Sequence, residues 1–242
     1  MKPHTRFAIL FMLLLGLLPG LVCGGTDSST VTGSIGGEVM ITPNLTSQKM
    51  RFRIYPTFKS VPPPATSEAL DDERRNVVIY LESTPSITAI HHSSDDLKIA
   101  QLGETFLPNV LPVVKGSTVE FPNQDPIFHN VFSLSKTKSF DLGRYPKGSS
   151  RSVTFDQPGI VPVFCHLHSN MSAIILVLDN PFFAVPGSDG SYLINDIPPG
   201  SYKLIAWHQR SKPSEHRVQV VAGQTTELKL LIPIADDREP RR

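Results

Sequence analysis

Cysteine is scarce in this chain: there are two, Cys23 and Cys165. That excludes a disulfide framework and leaves at most one pairing. An excess of charge of either sign is also missing. Lys and Arg number 23 against 22 Asp and Glu, for a formal net charge of +1. Nucleic acid and anionic membrane surfaces both call for a basic patch, so neither is expected as the main partner. The sequence has no internal repeat, no low-complexity segment, and no paired-carboxylate, phosphate-loop or triad signal, so no independent enzymatic activity is expected. Proline is abundant instead. The 22 prolines fall between short β-branched runs, which excludes long helices. The 242 residues are compatible with one large or two small domains.

The N-terminus reads as an export signal over residues 1–24. Lys2, His4 and Arg6 form its basic start, Phe7 to Leu18 its apolar centre, Pro19-Gly20 a break, and Gly24 and Gly25 a cleavage point. The expected location is periplasmic or secreted, with no membrane contact beyond the signal. Two other readings remain. One is an uncleaved anchor, although the apolar stretch is short for a span of about 20 residues. The other is lipidation at Cys23, although Gly20-Leu21-Val22 lacks the small residue expected next to a lipoprotein cysteine. If cleavage removes Cys23, Cys165 stands alone in a compartment where disulfides form readily. Metal ligation explains and protects such a thiol; a small buried hydrophobe is the plainer account.

Short strands are expected over residues 31–41, 50–55, 76–82, 118–121, 151–155, 160–164 and 173–178. Further strands are expected in 189–194, 197–208, 217–221 and 226–232. Residues 61–75 and the stretch around 140–145 read as loops. His91 and His92 lie in a polar loop. Adjacent residues of a strand cannot face one way, so this pair reads as solvated rather than ligating. Residues 234–242 form a charged tail. Many short strands with Pro/Gly turns indicate an all-β sandwich or barrel.

The chemistry concentrates in Phe164-Cys165-His166-Leu167-His168-Ser169-Asn170-Met171. An apolar strand delivers one thiol, and an imidazole and a thioether follow at intervals of three. Val161, Val163 and Cys165 share a strand face. One thiolate, one imidazole and one thioether suit a soft transition metal, copper above all. A second imidazole is available upstream at His129, which must come from a neighbouring strand. Asn130 is placed to tie the two loops together, or is an ordinary turn residue. Zinc is the alternative metal, although structural zinc sites usually pair cysteines and a thioether serves zinc poorly. An empty site and a cysteine nucleophile are the remaining readings; for the latter no orienting carboxylate is evident.

His129-Asn130 followed by Cys165-x-x-His168-x-x-Met171 resembles the cupredoxins, with the loop spacing of the amicyanin type rather than that of longer-looped plastocyanin. The resemblance runs from about Leu107 to Leu178. Residues 121–133 and 140–145 look like exported bacterial proteins of the methylamine-utilisation-like or plastocyanin-like group. The resemblance implies a Greek-key β-sandwich holding one type 1 copper ion on His129, Cys165, His168 and Met171. It also implies outer-sphere electron transfer to a redox protein partner, with His168 as the electron port and Leu167 and Pro108 beside it. Asp189-Gly190-Ser191-Tyr192 and Ile197 to Leu204 resemble the carboxypeptidase regulatory-like domain, a small transthyretin-like β-sandwich. The implied division is 31–83 and 179–233 forming this second sandwich, with a cupredoxin domain over 98–178 inserted into it.

Three features depart from the cupredoxin pattern. Ser169 follows the loop histidine where proline is common. Pro162 lies inside the strand leading to the cysteine, which implies a bulge or an edge. His166 adds an imidazole that strand parity points away from the metal, where it could take a second copper or accept a proton. Trp207-His208 reads as a core pair, or else as a docking or relay point. The rival to electron transfer is a non-redox binding or scaffold protein of the cell envelope, or one that handles copper.

Overall fold

In the computed structural model, residues 31–42, 73–82 and 97–234 are described. The export signal with Cys23, the strand expected over 50–55, most of the 61–75 loop, His91 and His92, and tail residues 235–242 lie outside them. Among the described residues, apart from the helical Glu73 and Arg74, every element is a strand. In chain order these are β1 (Gly33–Ile41), β2 (Val78–Leu81), β3 (Ala100–Gln101), β4 (Phe106–Leu107), β5 (Val110–Val114) and β6 (Ser117–Glu120). Then come β7 (His129–Leu134), β8 (Ser139–Tyr145), β9 (Ser152–Phe155), β10 (Gly159–Phe164), β11 (Ser172–Leu178) and β12 (Phe183–Ala184). The last are β13 (Ser191–Ile197), β14 (Gly200–Trp207), β15 (Ser214–Val220), β16 (Thr225–Glu227) and β17 (Leu230–Ile232). The protein is all-β. Among the described residues, no helix is long and apolar enough to cross a membrane.

The middle of the chain builds a five-stranded sheet in the order β5-β11-β10-β7-β8, with β6-β9 and β3-β4 as separate ribbons. Between them lies a core of Phe106, Val119, Phe121, Val131, Phe155, Val161, Val163 and Ile175, joined by Cys165 and Met171. The alternation of β9 and β10 directs these side chains inward: Val153, Phe155, Val161 and Val163 are buried while their neighbours are less so. Pro162 is tolerated because β10 meets β7 only at Phe164↔Phe132. At Pro162 the ladder therefore continues on the β11 side alone, through Ile174.

Residues 140–145 correct the sequence reading: they belong to strand β8, paired antiparallel with β7. Gly143 (φ 64) and the polar composition mimic a loop. The ladder accommodates them because β8 is an edge strand, the register slips between Asn130 and Phe132, and Gly143 N donates to Asp141 Oδ1 at 2.8 Å.

Strands from the two flanks of this region pair with each other. β1 lies antiparallel to β13 and parallel to β16 and β17; β2 lies between β12 and β14. These two sheets enclose a second core of Ile35, Val39, Ile79, Leu81, Ile194, Tyr202, Leu204 and Val218. The Asp189-Gly190 turn before β13 needs its glycine. At φ 86 a Cβ on Gly190 would stand 2.6 Å from Val39 O.

β11 has no solvent-facing side. Ala173, Ile175 and Val177 enter the first core. Ile174, Leu176 and Leu178 pack with Val110, Val78, Ile205 and Trp207 in a third cluster. A strand buried on both faces reads as a continuous apolar run, and Ala173 to Leu178 is such a run. Trp207 and His208 are 6% and 1% exposed, so they are core residues and not a surface docking pair.

Candidate metal centre

The fold brings three of the four candidate ligands onto one point. His129 opens β7, and Cys165 follows the last residue of β10, the strand next to β7 in the sheet. The chain then turns back: Met171 N donates to His168 O at 3.0 Å and Cys165 N donates to Met171 O at 3.3 Å. This closes a tight loop with His168 inside it. His129 Nδ1 and His168 Nδ1 are 3.0 Å apart. Cys165 Sγ stands 3.9 Å from His129 Nδ1 and 3.8 Å from His168 Nδ1. A metal ion bound at about 2.0 Å by imidazole nitrogen and about 2.3 Å by thiolate sulfur separates those donors by roughly 3.5–3.8 Å. The sulfur–nitrogen spacings of 3.9 and 3.8 Å lie at or just above the upper end of this range, and the two nitrogens, 3.0 Å apart, sit a little inside the roughly 3.3 Å expected for two imidazoles on one ion. The fourth residue, Met171, is 1% exposed and shares the core with Cys165. Among the described residues, His129, Cys165 and His168 are the group able to hold a metal ion.

The burial gradient has chemical consequences. His129 is fully buried and Cys165 is 5% exposed, so the thiol faces a dry, largely apolar space. The His168 side chain is 24% exposed, with its Nε2 turned outward, 4.0 Å from Glu104 Oε2. Exposed apolar residues Ile127, Phe128 and Leu167 lie next to His129 and His168 in the chain, and Leu102 and Leu107 are exposed on the β3-β4 ribbon that carries Glu104.

The sequence reading missed Asp125. Its Oδ2 accepts from His129 Nε2 at 2.8 Å and from Glu104 N at 2.9 Å. Its Oδ1 accepts from Gly103 N. Burial pushes the Asp125 carboxyl up, but the backbone N–H groups of Glu104 and Gly103 and the His129 ring more than offset this and hold it below the usual carboxylate range. A carboxylate only accepts, so Nε2 of His129 carries the ring proton and Nδ1 is left with its lone pair toward Cys165 and His168. An outer carboxylate that fixes the tautomer and orientation of a ligating histidine is a recurrent device at metal sites. The available signal was an aspartate four residues before a candidate ligand, but between Gln124 and Pro126 it reads as an ordinary turn.

Asn130 and His166 lie outside the donor cluster. Asn130 does not reach the cysteine loop. Its Nδ2 donates to Asp141 Oδ1 at 2.6 Å, tying β7 to β8, and its Oδ1 is buried without a partner. His166 is on the opposite side from the donor cluster, as parity indicated. Its ring stacks on Phe132 at 3.7 Å, and its Nε2 is 3.7 Å from Asp141 Oδ2 at a half-exposed position.

No protein-family model matches this sequence, and no curated protein matches it. Similar solved structures include a purple cupredoxin from Nitrosopumilus maritimus, 21% identical with a TM-score of 0.31, over 34% of this chain and 99% of that one. A copper-containing nitrite reductase from Thermus scotoductus SA-01 is 23% identical with a TM-score of 0.34, over 41% of this chain and 26% of that one. An amicyanin variant in its Cu(I) form is 20% identical with a TM-score of 0.32, over 33% of this chain and 79% of that one.

Proposed function

We propose that this chain is an exported type 1 copper protein that carries single electrons to a redox protein partner, and that it is not itself an enzyme. The observation that carries the reading is the convergence of His129 Nδ1, Cys165 Sγ and His168 Nδ1 within 4.8 Å of one another, with the buried thioether residue Met171 closing the same loop. Two imidazoles, one thiolate and a weak axial thioether form the donor set of blue-copper electron transfer. A copper ion held there supplies a one-electron couple. The protein's part is to hold the donors in one arrangement for both oxidation states. Cys165 and His129 do this from the ends of paired elements of the sheet, and His168 does it from a loop closed by two backbone hydrogen bonds. The partly exposed His168, bordered by exposed apolar loops, supports this end of the sandwich as the point of electron exchange.

The test is visible absorption and EPR during titration with Cu(II). One intense thiolate-to-copper charge-transfer band, saturating at one equivalent, lost on reduction and restored on oxidation, is the expected result. A weak spectrum of nitrogen and oxygen ligation would overturn the reading and move the function to zinc, copper handling or scaffolding. Met171→Leu is expected to keep the band, because the thiolate and both imidazoles remain and the volume is conserved. Its reduction potential should rise, since losing a donor costs Cu(II) more than Cu(I). An unchanged potential would remove Met171 from the ligand set.

The same reading divides the chain into a metal-binding sandwich over 98–178 set within a regulatory-like sandwich made of 31–83 and 179–233. The pairing of β1 with β13, β16 and β17 supports it. Limited proteolysis is expected to leave 179–233 attached to 31–83; release of 179–242 as a folded fragment would refute the insertion.

A further inference from the structure

The strand that leaves the metal centre is held from its far side by residues of the flanking sandwich. Asn109, between β4 and β5, makes three polar contacts. Its Nδ2 donates to Ser172 O at 2.8 Å, one residue beyond Met171. Its carbonyl accepts from Ile174 N at 2.8 Å. Its Oδ1 accepts from Gln209 Nε2 at 3.4 Å, and Gln209 lies in the turn after β14.

That turn is itself fixed. Arg210 N donates to His208 Nδ1 at 3.1 Å, and Ser211 N donates to His208 O at 3.1 Å. Arg210 Nη1 pairs with Glu73 Oε1 at 3.0 Å, with the arginine side chain 1% exposed. Opposite charges buried in contact resist separation, because either one alone would be left desolvated. Behind Gln209, Trp207 and Ile205 pack in one cluster with Val110, Ile174 and Leu176. The turn is therefore a firm support that offers one polar side chain to the exit of the ligand loop.

We propose that Asn109, braced by Gln209, is a positioning residue for the metal centre: the flanking sandwich helps to set where the 165–171 loop holds its donors. The proposal rests on the reading of this site as a copper centre. The loop has little independent freedom. Cys165 N is bonded to Met171 O, and Ser172 follows Met171 directly. A displacement of the Ser172 carbonyl is thus passed to both the thioether and the backbone of the cysteine. Partners one step removed from the ligands tune a metal site through such contacts.

The experiment is a double-mutant cycle on copper-loaded protein with Asn109→Ala, Gln209→Ala and the double variant, reading reduction potential, Cu(II) EPR and the charge-transfer band. Asn109→Asp keeps the size but removes the donor to Ser172, and stands in should the alanine variant misfold. All variants are expected to keep the band. Asn109→Ala should change the ratio of Cu(II) to Cu(I) affinity by about tenfold and Gln209→Ala by about threefold. The double variant should match Asn109→Ala alone, because Gln209 acts through Asn109. Gln209→Ala indistinguishable from wild type, or effects that simply add, overturns the proposal while the copper reading stands. A wild-type protein without the band would instead overturn that reading, and the proposal with it.

Discussion

Protein carrying Cys165→Ala is expected to stay folded, to lose the thiolate-to-copper band completely, and to stop exchanging electrons at the wild-type rate. Cys165 Sγ is the soft anionic donor of the cluster; removing it leaves two imidazole nitrogens 3.0 Å apart and a thioether. Those still bind Cu(II) weakly, through nitrogen and solvent oxygen. Cu(I) loses more, because the thiolate is the donor that suits it best. The fold survives because little else depends on the sulfur. The Cys165 N–H to Met171 O bond is a backbone contact that alanine retains. The missing atom costs about 1 kcal/mol of burial in the core, small beside the 5–15 kcal/mol of a typical domain. Absorption, EPR and rate of exchange with a small redox reagent check this against an unfolding curve. A colourless but equally fast variant would refute the assignment of Cys165 as the electronic centre of the site.

What the sequence reveals about this site depends on the distance over which its signals act. Cys165, His168 and Met171 lie within one loop, and their spacing by threes is legible because a single turn must serve one centre. His129 is legible as a candidate because an isolated histidine between Phe128 and Asn130 precedes a strand-like run. That it lies beside Cys165 is a tertiary fact, which the sheet order β10-β7 supplies. Asp125 was not legible. Its role depends on Gly103 and Glu104 arriving from a separate loop to hold the carboxylate, and no local pattern records that arrival. Residues 140–145 misled because glycine and aspartate on an edge strand look like a loop wherever solvent, and not a second sheet, covers one side. The apolar run from Ala173 to Leu178 was legible as a strand, and its unbroken apolar composition fits a strand buried on both faces. The identity of its second neighbour, Trp207 and Ile205 from a strand some 30 positions later, became visible only in the folded chain. Asn109 has the same history, since its contacts join Ser172 and Gln209, neither of which is near it in sequence.

Asp125→Asn is expected to raise the reduction potential of the copper-loaded protein. With copper bound to one thiolate, the oxidised centre carries one more unit of positive charge than the reduced centre. A buried carboxylate 2.8 Å from His129 Nε2 stabilises the oxidised form more, so removing its charge favours the reduced form. At an effective dielectric near 20, a unit charge several ångströms from the metal contributes on the order of 1–3 kcal/mol. For a one-electron couple that is roughly 40–130 mV upward, since a tenfold change in equilibrium, about 1.4 kcal/mol, corresponds to about 59 mV. Asparagine can still accept from Nε2 through Oδ1, so the His129 ring keeps its tautomer and Nδ1 stays a donor atom. Its amide nitrogen then falls against the Gly103 N–H, which the carboxylate now satisfies. That opposed pair of donors costs about 1–3 kcal/mol of stability, to be measured separately by denaturant unfolding. Asp125→Ala removes both charge and acceptor and frees the His129 ring, so copper affinity should fall by about 10–100-fold. The two variants separate the roles. A potential that rises in Asp125→Asn while Cu(I) affinity holds assigns an electrostatic role to the carboxylate; Cu(I) affinity lost equally in both variants assigns an orienting one. A potential that falls in Asp125→Asn would contradict the charge argument outright, whatever happens to affinity.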